Sequence, residues 1–158
     1  MKAILIRIGV IATLASPSAW AAGGGRDSAP AQPVDPVIEQ TQAAIARLDW
    51  KQAQAITREA LAKNPANADY HNLYAYSIRK SANPDMSEVF QHYNEALRID
   101  PEHRNAHEYL GEAYLTVGNL DKAKEHLRVL DRLCVLPCRE YTMLKKAVAE
   151  YEAKQTKN

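Results

Sequence analysis

Two pairs of side chains have spacings that could carry chemistry. Cys134 and Cys138 stand four residues apart in "CVLPC", and His103 and His107 stand four apart with Glu108 beside the second. One helical turn holds such Cα atoms roughly 6 Å apart, within disulfide range. In an exported chain two cysteines usually pair, and so small a loop gains on the order of 2 kcal/mol or less. A redox-active pair or a metal site is the rival reading. Against redox chemistry, thioredoxin-like motifs separate their cysteines by two residues within a βαβ pattern. Haem attachment needs a histidine after the second cysteine, where Arg139 stands. The two histidines alone leave a tetrahedral ion half bound, and His71, His92 and His126 show no ligand spacing, so no metal and no cofactor is expected. Glu108 and Glu112 are four apart, hence on one helical face, and would favour a basic or amine-bearing ligand. There is no nucleophile-elbow serine, and "GGG" at 23–25 does not follow a strand as a phosphate loop would. Nothing argues for an enzyme.

The elements that position these residues read as helices. Ala, Leu, Glu, Lys and Tyr are plentiful. Twenty Lys and Arg against nineteen Asp and Glu among 158 residues lack the basic excess of nucleic-acid binders. Residues 1–21, "MKAILIRIGVIATLASPSAWA", carry Lys2 and Arg7, then an apolar run, then small residues at 19 and 21. This is the pattern of a signal peptide cut after Ala21, and its apolar run is short for a membrane span. Cleavage removes two cations and no acid, taking the formal charge from +1 to −1. A periplasmic or secreted protein with no remaining membrane span is expected. Residues 22–36, rich in Gly and Pro, are expected to be a flexible linker.

A helical domain is expected over 37–155. Apolar spacing and breaks predict helices to either side of "DW" at 49–50, then a stop at Asn64-Pro65. A second pair spans about 68–80 and 87–98, and a third spans about 105–117 and 121–133 around the bend at Gly118. A last helix spans about 140–154. "EALAKNP" and "EALRIDP" place Ala60 and Ala96, and likewise Pro65 and Pro101, 36 residues apart. Helix–turn–helix units with a period near 34 are the arithmetic of a solenoid.

These residues resemble the tetratricopeptide repeat (TPR) family. In the third unit Leu110-Gly111, Tyr114, Gly118, Ala123 and Leu127 stand at the motif's leucine-glycine pair, tyrosine, turn glycine, small alanine and bulky residue. "YNEALRIDP" at 93–101 is similar to the motif's ending, with Ala96 inside it. The first unit has Gln40-Thr41 in place of the leucine-glycine pair. The second has Leu73-Tyr74 there, and Val89 in place of the alanine. The resemblance implies an all-α solenoid of about three TPR units plus a C-terminal capping helix. Leu73, Ala96, Leu110, Gly111, Tyr114, Ala123 and Leu127 are its expected packing residues, with close helix crossings at Gly111 and Ala123. The capping helix would turn Tyr141, Leu144, Ala147, Val148 and Tyr151 inward.

The resemblance also implies a groove, lined by the first helix of each unit, that takes a protein or peptide. His71, Ala75, Ile78 and Arg79 would line it from the second unit, and Glu108, Glu112 and Leu115 from the third. The family's clamp for a terminal carboxylate needs lysine and asparagine where Glu108 and Glu112 stand, which argues against that ligand. Tyr70, Tyr74 and Tyr76 are read either as interface anchors or as core. The expected function is a non-enzymatic adaptor or scaffold in the periplasm. A redox-responsive protein using Cys134 and Cys138, or an assembly factor for the envelope or for cytochrome maturation, is the alternative. An open end leaves room for a homodimer.

Overall fold

A computed structural model describes residues 34–156. The expected signal peptide and all but the end of the expected linker lie outside these residues. The described unit has seven helices: α1 (Pro36–Ala46), α2 (Trp50–Lys63), α3 (Ala68–Arg79), α4 (Met86–Ile99), α5 (Arg104–Thr116), α6 (Leu120–Leu133) and α7 (Arg139–Gln155). None of them is long and apolar enough to cross a membrane. The expected boundaries hold to within about two residues. One difference lies at the start, where Pro36 opens α1 and Asp35 caps it, accepting from the Val37 N–H at 2.8 Å. Proline suits this first position because its missing N–H would be unpaired there anyway. Asp35 also accepts a hydrogen bond from the Tyr70 hydroxyl at 2.7 Å. The last residues of the expected linker are therefore tied into the helical unit.

Each of the first six helices is started by a polar side chain that accepts a hydrogen bond from a first-turn N–H. Asp49, Asn67, Asp85 and Asn119 cap α2, α3, α4 and α6. His103 caps α5 through Nδ1. The break at "DW" has a backbone cause. Leu48 sits at φ 59° just before the cap Asp49, and Gly118 sits at φ 81° just before the cap Asn119. The same left-handed turn thus recurs 70 residues apart, with a leucine where the third unit has glycine.

The helices form three hairpins, α1–α2, α3–α4 and α5–α6, with α7 added. The first helices touch in series, α1 to α3, α3 to α5 and α5 to α7, whereas the second helices α2, α4 and α6 do not touch one another. The first helices therefore make the inner layer of this unit. One core cluster joins α3, α4 and α5 through Tyr74, Ile78, Val89, Tyr93 and Leu110. Another joins α6 and α7 through Ala123, Leu130, Leu144 and Val148. Tyr114 packs against both. Ala96, Leu110 and Ala123 are fully buried, and Leu127 packs against the second cluster. Leu144 and Val148 face inward on α7, while Lys145, Lys146, Glu150 and Lys154 are exposed.

One expectation about packing is corrected and another is made specific. His71 and His107 both reach back six residues to a proline carbonyl, Pro65 and Pro101. The second and third units are thus offset by 36 residues, which sets Tyr74-Ala75, rather than Leu73-Tyr74, against Leu110-Gly111. Tyr74 and Ala75 are buried, and Leu73 is only half-buried and outside both clusters. The close crossing expected at Gly111 is present, and the helix that makes it is α7. A Cβ on Gly111 would stand 2.6 Å from Leu144 Cδ2 and 2.7 Å from Leu144 Cδ1. Leu144 is 34 residues beyond Leu110, so α7 has the register of a first helix of a fourth unit.

Gly111→Ala should destabilise the fold by about 1–3 kcal/mol, the usual range for overpacking. The cost should shrink in a Leu144→Ala background, where the added methyl has room. Urea melts of the four members of this cycle measure the coupling, and purely additive losses would show that the two residues do not meet.

Candidate functional site

The inner face of α3, α5 and α7 places the expected groove residues in two groups. His71 and Ala75 are buried, as is Ile78 in the core beside Tyr74. Leu115 packs against the α6–α7 cluster. His71, Ala75 and Ile78 form the wall beneath the face and offer little surface to a partner, whereas Leu115 is half-buried. Tyr70 and Tyr74 are buried as well.

Arg79, Glu108 and Glu112 do stand together, and Arg79 and Glu112 are already paired with each other. Arg79 Nη2 donates to Glu112 Oε2 at 2.8 Å, and Arg79 Nε donates to the Tyr93 hydroxyl at 3.4 Å. The Arg79 guanidinium carbon lies 5.6 Å from the Tyr76 ring centre and 5.8 Å from that of Tyr109. The rings of Tyr76 and Tyr109 are 4.6 Å apart, and Trp50 meets Tyr76 edge-on at 6.2 Å. Burial with charged and aromatic partners explains why Arg79 is a fixed part of the face. Burial also pushes the Tyr93 phenol beyond its ordinary range.

Glu108 differs. It is 1% exposed, and its Oε2 accepts no hydrogen bond. The nearest cation is Arg139 Nη1, 3.6 Å away on the first turn of α7. Desolvation raises the Glu108 carboxyl to about 7, and Arg139 only partly opposes the shift. Asn72 stands 36 residues earlier, at the same place on α3. It is buried too, and its Oδ1 has no partner. Two successive first helices thus present one unpaired buried oxygen each. Neither Asn72 nor Arg139 stands out in the sequence, since each draws its meaning from the neighbouring helix.

A second feature escaped the residue spacing. His71 Nδ1 lies 2.8 Å from His92 Nδ1, and His107 Nδ1 lies 2.9 Å from His126 Nδ1. A carbonyl can only accept, so His71 Nε2 and His107 Nε2 carry the hydrogens directed at Pro65 and Pro101. In the neutral pairs the facing Nδ1 atoms of His71 and His107 therefore accept, and His92 and His126 donate. Each pair shares one proton between helices, and two would collide. His92 also meets the Tyr74 ring and lies near Glu88 and Glu95, while His126 lies near Tyr114, Lys122 and Glu125. His107 lies near Asp100, His103 and Arg132. Desolvation lowers His92, His107 and His126, the last to about 4. The six-residue interval from proline to histidine, repeated after 36 residues, is the signal that could have found these pairs.

His103, by contrast, points to Asp69 Oδ1 at 3.1 Å and caps α5, so it does not converge with His107 on a common ligand. Among the described residues no three potential metal ligands gather. Cys134 and Cys138 bring their sulfurs to bonding distance with Cα atoms 5.7 Å apart, at the joint between α6 and α7.

No family model matches the chain. Over 81 residues, 51% of its length, the chain is 30% identical to the TPR repeat-containing thioredoxin TTL4 of Arabidopsis thaliana, and it spans 12% of that protein. The TPR2B domain of yeast Sti1, solved in complex with pHsp70, matches with a TM-score of 0.66 at 17% identity, covering 75% of this chain and 94% of that one. The Sgt2 TPR domain from Aspergillus fumigatus matches with a TM-score of 0.65 at 22% identity, covering 84% and 85%. The fold is that of TPR domains, an all-α helical-repeat solenoid.

Two pH dependences follow, of opposite sign. His92, His107 and His126 are lowered in the fold, so the unfolded chain binds more protons below about 6.5 and stability should fall as pH falls through that range. His92→Gln with His126→Gln keeps an amide donor for each partner, and its thermal melts between about pH 5 and pH 7.5 should vary less than those of the parent. Glu108 is raised in the fold, so the stability of its neutral form is complete below the unfolded value near 4.5 and is lost as pH rises through about 7. Glu108→Gln should therefore melt higher than the parent at about pH 8 and show little advantage at about pH 4.5. Parallel melting curves across that range would refute this account of Glu108.

Proposed function

We propose that this chain is an exported, non-catalytic adaptor that holds a segment of another protein against the inner face of α3, α5 and α7. The observation that carries this reading is the pair of buried, unpaired side-chain oxygens, on Glu108 and Asn72, repeated one unit apart on that face. A polar atom buried without a partner costs about 1–3 kcal/mol, and a bound polypeptide supplies the donors it lacks. The likeness to a TPR domain solved with pHsp70 supports a peptide as the kind of ligand. The chemistry differs from a carboxylate clamp, because the face is lined by Glu108, Glu112 and Glu140 as well as Arg79 and Arg139. A ligand with basic groups is the better complement.

Export rests on the signal-like pattern of residues 1–21, and a periplasmic location is the setting we propose. There Cys134 and Cys138 act as a structural bridge that holds α7 at its angle to α6. Homodimerisation through an open end of the array would be a second use of the same architecture.

Photo-crosslinking from substituted positions in the native host checks the face. Probes at Glu112 and Thr116 on α5 should capture a discrete polypeptide in the envelope fraction, and a probe at the exposed Gln91 of α4 should not. Equal capture from Gln91 would remove the assignment to the inner face, and a cytoplasmic pool would remove export.

A further inference from the structure

We propose that Glu108 anchors a cation site which Arg139 fills in the free protein, and that an arginine side chain of a bound peptide enters by displacing Arg139. The proposal rests on the reading of the inner face as a peptide groove and names the chemistry and the control of its central contact.

The two ion pairs on the face differ in how firmly they are held. Arg79 and Glu112 meet at 2.8 Å, with the Arg79 side chain 9% exposed and set near two tyrosine rings. Arg139 and Glu108 approach only to 3.6 Å, and the Arg139 side chain is 62% exposed. Glu108 is the buried member, so the carboxylate is fixed and the cation is free to leave. Arg139 also follows Cys138, whose sulfur is at bonding distance from that of Cys134. Its backbone is thereby anchored, and displacement involves the side chain alone.

An anion desolvated to this degree draws a cation strongly, because its field is little screened. Arg139 serves that need imperfectly, since Glu108 Oε2 still lacks a hydrogen bond. A guanidinium arriving from the groove side can donate two hydrogen bonds to one carboxylate. Tyr109 lies beside both Arg139 and Glu108. A planar guanidinium fits such a site better than a compact, strongly hydrated ammonium. Asn72 supplies the second contact. Packed helices lie about 8–10 Å apart, which an extended chain spans in about three residues. A peptide whose arginine reaches Glu108 therefore brings a main-chain N–H near Asn72 Oδ1.

The test uses the mature chain, isotopically labelled for NMR, and three capped tripeptide amides: acetyl-Gly-Arg-Gly, acetyl-Gly-Lys-Gly and acetyl-Gly-Gln-Gly. The arginine peptide should bind most tightly, with shifts centred on α5 and the first turn of α7. Arg139→Gln, an exposed change that leaves the core intact, should tighten arginine-peptide binding about tenfold, as expected if Arg139 occupies the carboxylate about nine-tenths of the time. Glu108→Gln, checked by its melt for an intact fold, should abolish the preference for arginine over glutamine. If all three peptides shift α3 and α5 equally, or Arg139→Gln fails to tighten binding, the cation site is wrong while the groove stands. If none of the three shifts any inner-face residue, the groove reading falls with it.

Discussion

The layer of first helices depends on one steric rule, that a small residue in one unit receives a large one from the next. Gly111 receives Leu144, and the added carbon of any other side chain would overlap it. The register extends the rule back along the chain. Leu110 is 34 residues before Leu144 and Tyr74 is 36 before Leu110, which sets Ala75 against Leu110 and Thr41 against Tyr74. Thr41, Ala75 and Leu110 are fully buried and Tyr74 nearly so. A solenoid is stabilised chiefly between neighbours, so this row fixes how close the first helices come. It also explains α7. That helix completes the row as a first helix without a second, and its exposed side, carrying Lys145, Lys146 and Glu150, ends the stack.

Much of this was legible because it is local. Proline, glycine-asparagine and aspartate signals end and cap helices within a few residues, and apolar spacing follows the helix itself. The third unit was readable in detail because glycine stands at both sites where backbone geometry demands a small residue, Gly111 and Gly118. In the first unit Leu48 adopts the left-handed turn despite its side chain, and Thr41 fills the close approach, so neither announces itself. In the second unit the insertion around Ser81–Pro84 obscured the 36-residue offset, and Tyr74 was set one place out of register.

The remaining features are nonlocal. His71 meets His92 across 21 residues, and His107 meets His126 across 19. Those separations cross a turn, so a search for histidines on one helical face does not find them. The pairs recur because both units use the first histidine to satisfy a proline carbonyl, leaving its other nitrogen directed at the second helix. The same holds for the inner face. Glu108 and Glu112 were visible as neighbours on one helix, but their partners, Arg139 and Arg79, belong to α7 and α3. What reads in sequence as an acidic pair is, in the fold, two salt bridges of unequal strength.

That inequality decides where the face can respond. Arg79 is enclosed by Tyr76, Tyr109, Tyr93 and Glu112, and moving it would expose aromatic surface and leave Glu112 without its cation. Arg139 is largely exposed and gives up only its contacts with Glu108 and Tyr109 when it swings out, yet the carboxylate it abandons is one of the most deeply buried polar groups in the domain. The free energy of an uncompensated buried charge therefore opposes an empty ionised site, which either takes up a proton or exchanges one cation for another. On the proposed reading, a competing cation would enter at a contact the protein already makes with itself, and that contact would set the selectivity.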